Sequence, residues 1–95
     1  MPADRPNLLL VYTDQMRGMD MRCAGNADLI TPTLDRLAAE GVRCPHGYAT
    51  TPICSPNRAT LLTGTYPTTH GLLCNDTTWR SALPTLGTVA RDAGY

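Results

Sequence analysis

Five consecutive apolar residues, Leu8-Leu9-Leu10-Val11-Tyr12, constrain this chain more than any other stretch. The run is far short of a membrane span of about 20 residues. Its apolar character is continuous rather than alternating, which suits a strand covered on both faces of a parallel sheet. Asn7 to Thr13 is therefore expected to be a strand, with Asp14 and Gln15 at its carboxyl end. Ligands in open α/β sheets bind beyond the carboxyl ends of strands. A carboxylate at position 14 is thus well placed for a cation or for acid–base work; the alternative is a turn or cap residue.

The remaining punctuation builds on that strand. Residues 1–6 are polar with two prolines and are expected to form a disordered leader. Gly18, Gly25 and Asn26 break up the segment after Gln15, where Met16, Met19 and Met21 read as packing filler. Thr31-Pro32-Thr33 predicts a helix start, because Thr31 can cap and Pro32 fits the first helical position. Leu34, Leu37 and Ala38 then form a stripe expected to be buried, with Asp35, Arg36 and Glu40 facing water and Gly41 as the stop. Val42 to Thr50 is expected to be a second strand, with His46 packing or on the surface. Strand, helix, strand over 7–50 makes a right-handed βαβ unit, the N-terminal part of a mostly parallel α/β sheet flanked by helices. A further helix is expected from the Ser55-Pro56 region to Gly64, with Leu61 and Leu62 packing inward. Residues 65–84 read as a long loop, and a last helix runs from a Thr85 cap through Leu86, Val89, Ala90 and Ala93 to Gly94.

Composition removes several function classes. Eight basic and eight acidic residues give a formal net charge of zero, so bulk electrostatics point to neither nucleic acid nor a membrane surface. No signal-peptide core of roughly 7–15 residues with a cleavage site is present, and Asp4 lies in the leader, so the expected location is cytoplasmic. Cys23, Cys44, Cys54 and Cys74 form no Cys-x-x-Cys pair and no zinc pattern. Cys23, Cys44 and Cys74 read as small, partly buried hydrophobes.

Cys54 differs, because it stands just before a helix with Pro56 two residues on and Arg58 four residues on. A thiolate at a helix N-terminus is one reading. A phosphate-cradling loop is disfavoured, since only Ser55, Pro56 and Asn57 separate Cys54 from Arg58 and Pro56 contributes no N–H. A structural thiol is the plain alternative.

Cys54-Ser55-Pro56-Asn57-Arg58, followed by Ala59, Leu61, Leu62, Thr63 and Gly64, resembles the sulfatase signature Cys-x-Pro-x-Arg. The resemblance continues through Arg5-Pro6-Asn7 and Thr13-Asp14-Gln15-Met16-Arg17, through Thr31 to Arg43, and through Thr63-Gly64-Thr65-Tyr66-Pro67 to His70-Gly71. It implies an incomplete alkaline-phosphatase-like fold, with residues 7–95 forming an N-terminal fragment of a sulfatase catalytic domain. The chain stops before the family's lysine and histidine segments and its second pair of metal ligands. The resemblance further implies that an activating, formylglycine-generating enzyme oxidises Cys54 in the unfolded chain to formylglycine. The hydrated aldehyde attacks the sulfur of a small-molecule or glycan sulfate ester, and its second hydroxyl expels sulfate. A divalent cation, calcium by family habit, is implied at Asp14, Gln15 and the modified Cys54. Arg58 is implied to stabilise the alkoxide. Asn75 falls where relatives line the substrate pocket, and His70 reads as structural. Relatives with the same signature cleave phosphonate monoesters or phosphodiesters, so that substrate class remains open. A non-catalytic truncated product is the reading from another class.

Overall fold

The computed structural model describes residues 6–79 and 82–95. The leader expected at 1–6 therefore lies outside them, except for its last residue. The chain divides into two compact units, one reaching Pro45 and one spanning His46–Tyr95. Their regular elements are a 3₁₀ turn at Arg22–Ala24 and helices α1 (Pro32–Glu40), α2 (Cys54–Thr63), α3 (Pro67–His70) and α4 (Leu86–Asp92).

The expected βαβ arrangement is not formed. Among the described residues there is no strand and no sheet. Residues 7–13 and 42–50 carry strand-like sequence, but a strand exists only when its backbone is laddered to a neighbour. Both segments instead run unladdered with their apolar side chains in solvent: Leu9 is 88% exposed and Val42 is 90% exposed. The apolar run was read as a strand covered on both faces, and it meets neither a ladder nor a covering layer among the described residues.

In the first unit, order comes from polar links rather than from a core. Arg17 and Asp20 close a turn, with Arg17 N–H donating to Asp20 Oδ2 at 2.9 Å and Arg17 Nη2 to Oδ1 at 2.8 Å. The 3₁₀ turn ends at Gly25, whose φ of 103° is left-handed and suits glycine. Thr31 precedes α1, as the sequence predicts, yet its hydroxyl caps no helix amide. It accepts from Arg22 N–H at 2.9 Å and donates to Asp35 Oδ1 at 3.0 Å. Asp35 also accepts from Cys23 N–H at 2.8 Å, so it is turned inward and half-buried rather than facing water. The predicted apolar stripe of α1 is open instead, with Leu34 and Leu37 both exposed. Gly41 ends the helix with its N–H on Leu37 O, and a Cβ added there would lie 3.0 Å from that oxygen.

Burial alone would raise the Asp35 pKa. The Cys23 N–H and the Thr31 hydroxyl, helped by the Cys23 thiol and Arg22, outweigh it and hold the carboxyl below its ordinary value. A depressed carboxylate stabilises the fold above its ordinary pKa, and that contribution is lost as pH falls through the lowered value. Acidification below about pH 4 is therefore expected to unlatch the 3₁₀ turn from α1. Protection of the Cys23 amide against exchange, corrected for the intrinsic rate at each pH, should fall in that window, and unchanged protection down to full protonation would contradict the link.

The second unit has a small core made of Pro56, Ala59, His70 and Leu72. Pro56 and Ala59 lie three residues apart on one face of α2, which packs against α3 and, further along, α4. The helix stops at Gly64, where φ is 67° and the N–H bonds Thr60 O. Residues 65–84 are not wholly irregular: α3 falls within them, opened by Pro67 and closed by Gly71. Leu61 and Leu62 do not pack inward as expected. They line an open apolar groove of about 270 Å³ shared with Pro84, Leu86 and Val89. Thr85 caps α4 as expected, accepting from Thr88 N–H while the Thr88 hydroxyl accepts from Thr85 N–H. Among the described residues no helix is long and apolar enough to cross a membrane.

Candidate functional site

Cys54 is the first residue of α2 and is exposed; Ile53, in extended conformation, precedes it as the cap residue. Arg58 follows one turn later, also exposed. Residues four apart on a helix have Cβ atoms about 5–6 Å from each other on one side, so α2 presents a thiol and a guanidinium together. Pro56 between them faces the core, fully buried. Its missing N–H costs nothing, because first-turn amides have no intrahelical partner.

The first turn of α2 is capped from a distance. Ile53 offers no side-chain cap. The Ser55 N–H donates instead to Asn75 Oδ1 at 2.9 Å, twenty residues along the chain, and Asn57 N–H begins the helix on Ile53 O at 3.0 Å. With Ser55 capped, Pro56 lacking an amide hydrogen and Asn57 bonded, no row of free amides remains to cradle a phosphate.

His70, on α3, is 5% exposed. Its Nδ1 accepts from Leu72 N–H at 3.1 Å, and its Nε2 lies 3.1 Å from Thr60 Oγ1 on α2. The Thr50 hydroxyl donates to the same Thr60 oxygen at 3.1 Å. Trp79 stands edge-on to the imidazole, with ring centroids 6.4 Å apart at 74°. The sequence read His70 as structural and gave no sign of its bond to the helix that carries Cys54. Thr50 and Thr60 carried no sequence signal, since neither lies in a recognisable spacing with His70.

Asp14 and Gln15 belong to the first unit and are exposed. Gln15 has a φ of 51°, a left-handed backbone that costs a non-glycine residue about 1–2 kcal/mol. Among the described residues no three His, Cys, Asp or Glu side chains gather as a metal cluster. What the chain offers there is a neighbouring carboxylate and amide oxygen.

The four cysteines are free thiols. Burial pushes the Cys23 thiol above its ordinary pKa and the adjacent Asp35 adds to this, with Arg43 opposing. Cys44, Cys54 and Cys74 are exposed, whereas Cys23 is half-buried. Since thiolates react and thiols do not, limited alkylation at neutral pH is expected to label the three exposed cysteines before Cys23. Peptide mapping by mass spectrometry reads the order directly; early labelling of Cys23 would refute it.

Residues 6–95 match the family model described as Sulfatase. The chain is 46% identical over 72 residues to the ulvan-active sulfatase of Formosa agariphila, covering 76% of this chain and 14% of that protein. It is 38% identical over 91 residues to the uncharacterized sulfatase YidJ of Escherichia coli (strain K12), covering 96% of this chain and 18% of that one. The crystal structure of the phosphonate monoester hydrolase of Agrobacterium radiobacter superposes with a TM-score of 0.89 at 40% identity, over 96% of this chain and 18% of that one. The chain thus spans less than a fifth of the length of each of these relatives. A family match over nearly the whole chain, with the Cys54–Arg58 turn inside it, establishes that the chain belongs to the sulfatase family.

Proposed function

We infer that the chain carries the nucleophile-bearing segment of a sulfuric ester hydrolase, with Cys54 as the residue converted to formylglycine. The observation that supports this most is the exposed Cys54 at the start of α2, with Arg58 one turn on, inside the family match. Hydrated formylglycine supplies a hydroxyl nucleophile and a second hydroxyl for release. Arg58 contributes charge-assisted hydrogen bonds to negative oxygen developing next to it. Asn75 contributes by holding the first turn of α2 through Ser55.

A divalent cation fits the available donors in kind. Asp14 and Gln15 present adjacent exposed hard oxygens, a donor kind that suits calcium. When bound, such a cation withdraws charge from the substrate's sulfuryl oxygens.

The activating enzyme is proposed to act on the unfolded chain. In the fold, residues 54–58 are helical and Pro56 is buried, so an enzyme that threads an extended peptide cannot grip them. A peptide spanning residues 51–64 is expected to be converted by formylglycine-generating enzyme, while the folded chain is not. Peptide mass spectrometry at Cys54 is the readout. A peptide left wholly as cysteine would sink the functional reading.

A second reading, hydrolysis of phosphonate monoesters, is favoured by the structural likeness to the Agrobacterium hydrolase. Replacing the matching segment of that hydrolase by this chain separates the two. Under the sulfatase reading the ratio of aryl sulfate to aryl phosphonate turnover rises; under the second it stays put.

A further inference from the structure

We propose that His70 is a positioning residue for the Cys54–Arg58 turn, acting as an Nε2–H tautomer that ties Thr60 of α2 to the Leu72 amide. The value of that turn to catalysis rests on the reading of Cys54 as nucleophile; the tie itself does not.

The tautomer follows from the partners. A backbone amide can only donate, so Nδ1, 3.1 Å from Leu72 N, carries no proton. The neutral ring then holds its hydrogen on Nε2, aimed at Thr60 Oγ1. Thr60 accepts from His70 and from Thr50 on the same oxygen, which leaves its side chain little rotational freedom. Trp79 closes one side of the imidazole.

The consequence for the site is mechanical. Thr60 lies two residues after Arg58 and six after Cys54, about 9 Å along the axis at 1.5 Å per residue. A helix this short moves as a rigid body, so a shift at Thr60 is carried to Cys54. Asn75 restrains the same helix at Ser55. Both restraints come from the segment that follows α2, and together they fix its translation and its rotation. Misplacing a reacting group by about 1 Å can cost about 10²-fold in rate.

The test has two arms. In the 95-residue chain, long-range ¹⁵N–¹H spectra of His70 should show protonated Nε2 and bare Nδ1. Thr60→Val should speed exchange of the Asn57 amide about tenfold, with the α4 amides at Val89 and Ala93 unchanged, and Thr60→Ser should restore it. In the ulvan-active sulfatase carrying this chain in place of its matching segment, Thr60→Val and His70→Ala should lower kcat about tenfold with KM near its original value. His70→Gln, which keeps a donor near the Nε2 position, should recover part of the loss. A proton on Nδ1, or uniform loosening of α2 and α4, overturns the proposal, as does an unchanged kcat in variants that remain folded. Failure of Cys54 conversion, with the tautomer and local exchange as stated, sinks the functional reading and leaves the tie standing.

Discussion

Cys54→Ala is expected to abolish sulfate-ester turnover, by about 10⁴-fold or more, when the chain stands in a sulfatase of full family length. The size of the effect follows from what is removed. On the proposed formylglycine reading, alanine cannot be oxidised to an aldehyde, so no hydroxyl nucleophile forms and no covalent route remains. Fold stability should barely change, because the Cys54 side chain is exposed and no core contact depends on it. Cys54→Ser separates the chemistry further, since a lone hydroxyl can attack but lacks the second hydroxyl needed for release. That variant should take up sulfate once and stall, which intact-mass measurement would reveal as a stable adduct. Retained multiple turnover in Cys54→Ala would place the nucleophile elsewhere.

Arg58→Ala should lower kcat by about 10²–10³-fold, the usual cost of removing one donor from developing negative charge. Lysine at this position should recover only part of the loss, because an ammonium is a point charge without the guanidinium's planar fork. Helix α2 should remain folded, because its stop at Gly64, its buried Pro56 and Ala59, and its Ser55–Asn75 cap are all untouched. A loss of activity that tracked a loss of helix, seen by circular dichroism, would reassign Arg58 to structure.

The placement of these two residues on one helix was legible before any coordinates because their spacing is local. Cys-x-Pro-x-Arg places a thiol and a guanidinium four positions apart, and a helix puts such residues on one side. Asp14 and Gln15 were singled out by position after an apolar run, and they do follow it. The sheet on which that position was expected to lie is absent among the described residues. Asn75 was suggested as a pocket residue from family likeness; that its amide oxygen caps the helix through Ser55 had no sequence signal. His70 was read as structural, and its link to Thr60 ten residues back had no sequence signature.

The chain's letters alone settle the helix boundaries at Pro32, Gly64 and Thr85, together with membership in the sulfatase family. Proline at a first turn, a left-handed glycine and a reciprocal threonine cap act within four residues, so no distant partner can overrule them. Pairing and burial are different in kind. Whether residues 7–13 become a strand depends on a neighbouring backbone to receive their hydrogen bonds, and nothing in the five apolar letters supplies one. Whether Asp35 faces water depends on where the Cys23 amide arrives, twelve residues away. Whether α2 is held still depends on Asn75 and His70, brought to it by the path of the intervening chain. Contacts of that range are set by folding in three dimensions, where their energy outweighs local preference.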